Sequence, residues 1–530
     1  MKDFFSKVLD GFNRINPNYK FGLLLLILAV LYQYPAISLK RPQSVHHWRQ
    51  SDCASFALNY YQSGMHFFHP QTHNLMSDNY TTSYTATSEI PILYYFVAIL
   101  YKIFGYHDFI YRIVNTLIFL SGLYFLFKTF YYLLDNFFWS SMITLFFFTS
   151  PILVYYGNNF LTDSSAFAFV LIAWYFFFKF YQTNSQRVFY VSMLFFLLAG
   201  SFKIFALISF AALGIIFFAE IVGISKFRAN GKLFSRPKTQ IIPFVIIILI
   251  IGGWAEYAHY YNTLHQSEYF STSTRQFSLW NLDIDTIHKV IEHVRILWLN
   301  QFFHVSSLYM LAGIFLFSFL FIKKNDKFIS AITLLLFFGT IIYVILFFAI
   351  FDYHDCYTIN LFIFLIFVFI AFIGLLKNHF LKIFNSPYIK IVFFLFLIFN
   401  VVHAQKQMHD RYNSWWTEYP EYKDYHTITP YLRSIGIKPL DTVVCLPDDS
   451  HFTLYLMNQR GWTECMGNDR DSAGIALSVS RGAKYLIVNG DEIIKRPYIQ
   501  SFLNHPIGQY GLVRIYKFDE PFRNQNPISQ

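Results

Sequence analysis

FGLLLLILAVLYQYPAISL (residues 21–39) follows Lys2, Lys7, Arg14 and Lys20, and is itself followed by HHWRQSDCASFALNYYQSG (residues 46–64). The first stretch is longer than the apolar core of a signal peptide and lacks a small-x-small exit, so it reads as an uncleaved membrane span with a cytoplasmic N-terminus. The second then begins a large exterior loop, residues 40–88. Composition agrees: 55% of the 530 residues are hydrophobic and 14% charged, against about 25% charged in ordinary soluble proteins, and the mean hydropathy is +0.38. A soluble enzyme, a disordered chain and a disulfide-stapled secreted domain are excluded. The 66 Phe and 39 Tyr are expected to be solvated by the bilayer, with Tyr and Trp at its interfaces. The net charge of +10 sits mainly in short loops between apolar runs, where it sets topology. No nucleic-acid partner is expected.

Apolar runs long enough for a ~30 Å hydrocarbon core fall at 21–39, 109–133, 137–156, 164–181, 188–202, 204–223, 240–260, 305–323, 328–351, 357–377 and 389–405, with 89–105 a twelfth candidate. The loop 224–239 holds Lys226, Arg228, Lys232, Arg236 and Lys238, and Lys323, Lys324 and Lys327 crowd one turn; both should be cytoplasmic. An exterior loop at 40–88 and a cytoplasmic one at 224–239 need an odd number of crossings between them. Residues 89–105 are therefore expected to lie along the interface, which leaves eleven spans, with thirteen as the fallback count. The exterior side then receives 40–88, 261–304, the turn at 352–356 and everything after 406.

Two domains follow: a transmembrane module, residues 1–405, and an extracytoplasmic α/β domain, residues 406–530. In the latter, strand-like runs at Thr442–Leu446, Tyr485–Asn489 and Leu512–Phe518 alternate with helical ones at Phe452–Asn458 and Asp471–Ser480. Cys53, Cys356, Cys445 and Cys465 form no metal pattern, and only Cys445 and Cys465 could pair. Asp448-Asp449 reads as a solvated turn.

In the first exterior loop Ala54, Ala57, Leu58 and Tyr61 share one helical face and Gly64 supplies a stop, which predicts an amphipathic helix on the membrane surface. Asp52 stands at its start beside Trp48 and Arg49. It reads either as a helix cap or as an acid placed where a water-borne hydroxyl meets a membrane-borne donor. Lys203 ends a span and is either an interface anchor or a cation for a phosphate. Asp163 is either an N-cap or a second site acid. The turn Asp352-Tyr353-His354-Asp355-Cys356-Tyr357 concentrates polar groups at an exterior junction, but it lacks a full metal-ligand set. His46, His47, His66, His69 and His73 lack zinc spacing and read as wet interfacial side chains. The sequence requires no cofactor, and it calls for no metal.

These stretches together resemble the GT-C glycosyltransferases, specifically the polyprenyl-phosphate-sugar group that includes protein O-mannosyltransferases and the aminoarabinose transferase of lipid A. The resemblance rests on Trp48-Arg49-Gln50-Ser51-Asp52 with its following helix, on Glu89-Ile90-Pro91 with Leu93-Tyr94-Tyr95 and Phe104-Gly105, and on Arg112-Ile113. It implies that Asp52 is the catalytic acid, that Asp163 is the second acidic position, and that Arg49, Glu89, Lys203, His354 and Tyr357 serve the donor and its phosphate. The aminoarabinose transferases carry Lys after the Glu, where Ile90 stands here, and Ile92 replaces their second proline. Another cation, Arg49 or Lys203, must then face the leaving phosphate.

The implied activity is transfer of a sugar from a polyprenyl-phosphate donor to an extracytoplasmic lipid, glycan or protein acceptor, with inversion and with Asp52 as general base. The implied setting is a bacterial inner (plasma) membrane with the C-terminal domain periplasmic or extracellular. The alternative is a transporter or flippase of polyprenyl-linked glycans, for which internal repeats would be the signature; none is evident. The tail is expected to help place the acceptor or to cover the cavity, and to contribute no group to bond breaking.

Overall fold

The computed structural model describes residues 15–228, 231–267, 269–270, 277–413, 420–467 and 470–519. The N-terminal charges Lys2, Lys7 and Arg14 fall outside them. The chain divides into two compact units. One comprises residues 1–38, 113–253 and 274–409, and the other residues 39–112, 254–273 and 410–530. This division cuts across the boundary expected at 405, because loop 40–88 folds with the C-terminal segment.

The first unit is helical. Among the described residues of the whole chain, seven helices are long and apolar enough to cross a membrane, or up to nine if each of two bent pairs counts as one span. The protein is a multi-pass membrane protein. The expected first span is a 15-residue helix, Pro17–Leu31, and the expected 188–202 span is the 17-residue helix Gln186–Phe202. Both are shorter than the count of eleven assumed. The expected span 137–156 is two helices, Phe137–Phe147 and Pro151–Gly157, at 80°. Ser150 is extended there (φ −69°, ψ 119°), as a residue before proline should be, and Pro151 lacks the N–H that would continue the ladder. Asn136 caps the first of them by accepting from Trp139 N at 3.0 Å. The 305–323 run becomes Val305–Leu320, joined at 88° to Ile284–Phe302.

Aromatic rings fill this unit more than they face lipid. Phe146, Phe147, Phe148, Phe177, Phe362 and Phe367 are all 0% exposed. Trp174 packs edge-on against Phe177, Phe196 and Phe367 while its Nε1 donates to Ser209 Oγ at 3.0 Å. The helix Pro237–Leu264 instead turns Ile241, Ile242, Ile246, Ile248 and Leu249 outward. Large rings fill space between helices and gain from edge-to-face geometry, which favours them in the interior.

The basic loops of the first unit gather at one end. Arg228 donates to Gln182 O at 3.0 Å, Tyr181 to Asp326 at 2.9 Å, His379 Nε2 lies 3.2 Å from Lys324 O, and Lys377 donates to Leu133 O at 3.1 Å.

In the second unit the C-terminal segment forms a five-stranded sheet: β1 (Thr442–Leu446), β2 (Arg460–Trp462), β3 (Tyr485–Asn489), β4 (Pro506–Tyr510) and β5 (Val513–Lys517), in the order β2-β1-β3-β5-β4. β1 pairs parallel with β2 and β3, while β5 runs antiparallel to β3 and β4. The helices Phe452–Met457 and Ser472–Ser480 occupy the crossovers. Three strands and both helices match the sequence expectation, whereas β2 and β4 carry too few apolar residues to show there. A Cβ at Gly461 would sit 1.8 Å from Val443 O, so only glycine lets β2 approach β1. Loop 40–88 joins this edge. Leu75 N donates to Gly461 O at 2.9 Å, Gly461 N to His73 O at 3.2 Å, and Trp462 Nε1 to Tyr80 O at 3.0 Å.

Candidate active site

The helix His47–Gln62 carries the central carboxylate. His46 at its N-cap has φ 56°, and the chain leaves through Ser63 and Gly64, whose φ of +94° is the glycine stop the sequence indicates. Asp52 lies in the second turn, so it is no cap. The expected surface helix is also not observed: Gln50, Ser51, Asp52, Ser55 and Asn59 are buried along with the apolar face. Their partners explain why polar residues tolerate burial. Gln50 donates to Gln43 O at 2.7 Å and Val45 O at 2.9 Å, and Ser55 Oγ lies 2.7 Å from His73 Nδ1. His73 is therefore no wet interfacial group; burial and then Arg460 lower its pKa to about 3, which keeps it neutral.

Asp52 is 0% exposed and bounded by three side chains of its own unit. Tyr269 donates to Oδ1 at 3.1 Å, His451 Nε2 lies 2.5 Å from the same oxygen, and Arg49 Nη1 reaches Oδ2 at 3.5 Å. Arg49 is held chiefly by Glu89, across 2.6 Å to Oε2, and Tyr94 donates to that same oxygen at 3.1 Å. Burial alone would lower the Arg49 pKa, but Glu89, with Cys53, Tyr94 and Asp52, raises it well above the usual value. Burial likewise opposes a charge on His451, yet Asp52 outweighs it and the imidazole is raised to about 10. The Cys53 thiol is pushed up by burial to about 12 and stays neutral.

Three of the candidate residues, Arg49, Asp52 and Glu89, thus converge. Asp163, Lys203 and Tyr357 converge in the other unit. Asp163 opens the helix Asp163–Thr183 in its first turn, where a carboxylate suits the helix dipole. Lys203 ends Gln186–Phe202 and is 8% exposed, which excludes a snorkelling anchor. Its Nζ lies 3.6 Å from Asp163 Oδ1 and 5.1 Å from the Tyr357 ring centre. His354 sits beside Tyr357 with ring centres 5.9 Å apart. The acids of that turn go separate ways, Asp352 to Lys289 at 3.0 Å and to His293, Asp355 to the Tyr156 hydroxyl at 2.5 Å. Among the described residues no three His, Cys, Asp or Glu side chains form a metal cluster.

Tyr357 packs with Phe205, Tyr343, Val290, Phe351 and Leu361. The last three also line an apolar cavity of about 610 Å³, which continues along Val294, Trp298 and Phe302.

His451 and Tyr269 were not legible as site residues. His451 follows the C-terminal end of β1, the edge of a parallel sheet where side chains meet ligands, and that strand is legible in the sequence; Tyr269 carries no such signal. The C-terminal segment thus brings His451 against Asp52. Asp448 is no solvated turn either. It is 1% exposed and accepts from Ser450 N and Thr453 N, both at 2.9 Å, setting the turn that presents His451. Cys445 and Cys465 are both free thiols.

No protein-family model matches the chain, and no curated protein sequence does. Solved structures do. ArnT from Cupriavidus metallidurans in the apo state superposes with a TM-score of 0.58 at 12% identity, covering 95% of this chain and 99% of that one. Its complex with undecaprenyl phosphate gives 0.57 at 11% identity, over 94% and 98%. The oligosaccharyltransferase of Archaeoglobus fulgidus, in the apo form, gives 0.52 at 12% identity, over 95% and 75%. The chain has the GT-C fold. In this fold the buried carboxylate lies on the helix after the first apolar segment, where the sequence resemblance expects the catalytic acid.

Proposed function

We propose that the protein is a membrane glycosyltransferase that moves a sugar from a polyprenyl-phosphate donor to an extracytoplasmic lipid, glycan or protein acceptor, with inversion at the anomeric carbon. The observation that carries this reading is the wholly buried Asp52, held by Arg49, Tyr269 and His451 on the exterior-loop helix of a GT-C fold. The undecaprenyl phosphate bound by the similar ArnT supports the donor class.

In the proposed step Asp52 takes the acceptor hydroxyl proton as general base. The acceptor oxygen forms a bond to the anomeric carbon from the face opposite the phosphate. The bond between that carbon and the phosphate oxygen breaks, and its electron pair leaves with the polyprenyl phosphate. Lys203 is assigned to the leaving phosphate, beside Tyr357. Its Nζ stands 3.6 Å from Asp163 Oδ1. Charge stabilisation of this kind contributes a few kcal/mol per donor. The apolar cavity at Val290, Trp298 and Phe351 suits a prenyl chain. The bacterial inner membrane is the proposed setting, with the clustered basic loops cytoplasmic and the C-terminal segment periplasmic or extracellular.

The test uses polyprenyl-phosphate sugars extracted from the producing cells as the donor mixture, with purified protein in detergent, where transport has no meaning. Wild type should release polyprenyl phosphate on addition of envelope extract, and Asp52→Asn should lower turnover by at least ~10². Full release by a folded Asp52→Asn protein would remove the base assignment.

A further inference from the structure

Burying a carboxylate where water cannot reach it favours the neutral acid, unless a counter-charge and hydrogen bonds hold it ionised. Asp52 and His451 are each 0% exposed, and Glu89 is 4% exposed. Four ionisable groups that sit in chain contact here are His451, Asp52, Arg49 and Glu89, linked at 2.5, 3.5 and 2.6 Å. Arg49 brings one positive charge for two carboxylates, and its shorter contact is with Glu89. The set is neutral only when the imidazole is protonated. The other groups facing His451 are Tyr269, whose ring lies 4.7 Å away, and Cys465. On the helix that carries Asp52, Cys53 faces Arg49 and Glu89 and is neutral. Burial and then Asp52 raise the Tyr269 hydroxyl well above its ordinary range, so it is neutral too. His73 also faces His451 and is uncharged.

The carboxylate is approached unevenly. The Tyr269 hydroxyl donates to Oδ1 and His451 Nε2 lies 2.5 Å from it, whereas among the described residues Oδ2 has only the 3.5 Å contact with Arg49. Oδ1 is thus the more closely held oxygen.

We propose that His451 is a positioning residue for the proposed base: as an imidazolium it completes a buried quartet with Arg49, Asp52 and Glu89, supplies the charge that balances the two carboxylates, and with Tyr269 leaves Oδ2 for the acceptor hydroxyl. The inference rests on the reading of Asp52 as base. It makes the C-terminal segment part of the acid–base machinery, because His451 stands in the turn between β1 and the helix Phe452–Met457, which Asp448 shapes.

The experiment uses the full chain. Polyprenyl phosphate release from the cell-derived donor mixture is followed against pH for wild type, Asp52→Asn, His451→Gln and the double variant His451→Gln with Glu89→Gln. Without the imidazolium, Asp52 should take up a proton more readily, so the acid limb of His451→Gln should move up by a unit or more, a tenfold loss of turnover below the limb. Removing the Glu89 charge as well restores neutrality and should move the limb back. A purely structural histidine would not be rescued by deleting a charge on another segment. An unmoved limb in His451→Gln, with Asp52→Asn inactive, overturns the inference and spares the base assignment. An active Asp52→Asn overturns the base assignment itself. Should His451→Gln fail to fold, ¹⁵N-histidine spectra of wild type decide: both His451 ring nitrogens protonated at pH 8 support the quartet, and one bare nitrogen at pH 8 overturns it.

Discussion

Arg49 Nη2 lies 2.6 Å from Glu89 Oε2, which ties the helix His47–Gln62 to the segment that precedes Ile92–Phe104. The two side chains are 16% and 4% exposed, so the pair is shielded, and losing one partner strands the other. Glu89→Ala should lower the unfolding free energy by about 3–5 kcal/mol, the usual cost of breaking a buried pair. Glu89→Gln should cost less because it can still accept from Arg49. Thermal unfolding in detergent checks both, and equal stability of Glu89→Ala and wild type would contradict the ion-pair assignment.

His451 makes stability depend on pH in a defined direction. Burial opposes its charge, but Asp52 dominates and raises it from 6.5 to about 10. A raised imidazole contributes stability that is fully present below the unfolded value and disappears as pH climbs through the folded one. The melting temperature of wild type should therefore decline between pH 6.5 and about 10 more steeply than that of His451→Gln. Parallel profiles would show that the imidazole is not held charged.

Lys203 is the proposed phosphate cation. Lys203→Met should lower turnover by ~10²–10³, the range for removing one electrostatic donor, while Lys203→Arg should keep part of it. Asp163→Asn should be the milder change, since it loosens Lys203 without removing its charge. Polyprenyl phosphate release measures all three.

Arg460 on β2 donates to Asn59 Oδ1 at 2.7 Å and Ser63 Oγ at 2.9 Å, so the sheet clamps the end of the helix that carries Asp52. Arg460→Ala should speed amide hydrogen exchange across residues 59–75 and leave β3 and β5 protected. For the same reason a truncation after residue 405 should lose the setting of Asp52 along with the tail. Unchanged exchange at 59–75 would mean the clamp is not felt.

Topology is tested with single cysteines at exposed positions. An impermeant thiol reagent should label Leu440→Cys in intact spheroplasts, where the native residue is 82% exposed, and should label Lys232→Cys only after permeabilisation. The reverse pattern would invert the proposed orientation.

Membrane class, the polar loop 40–88 with Asp52 on a helix, and the β1, β3 and β5 strands were legible because each is a local pattern. An apolar run, a helical repeat or an alternating strand announces itself within about twenty residues. Arg49 and Glu89 were also nameable, though as separate donor contacts. Their pairing was not legible, since nothing near either residue encodes the other's position. The break inside 137–156 was not legible either: hydropathy sums apolar residues but does not register that the run splits before Pro151 into two helices at 80°.

Only tertiary structure decided the surroundings of Asp52. Sequence alone set a capping residue against an acid, and the fold answers by placing it in the second turn of a helix buried on its polar face. It answers again by bringing His451 from almost four hundred residues further along the chain. Hydropathy and periodicity report how one segment meets solvent or lipid. The charge of a buried group is set by what other segments place within a few ångströms of it, and that is known only once the chain has folded.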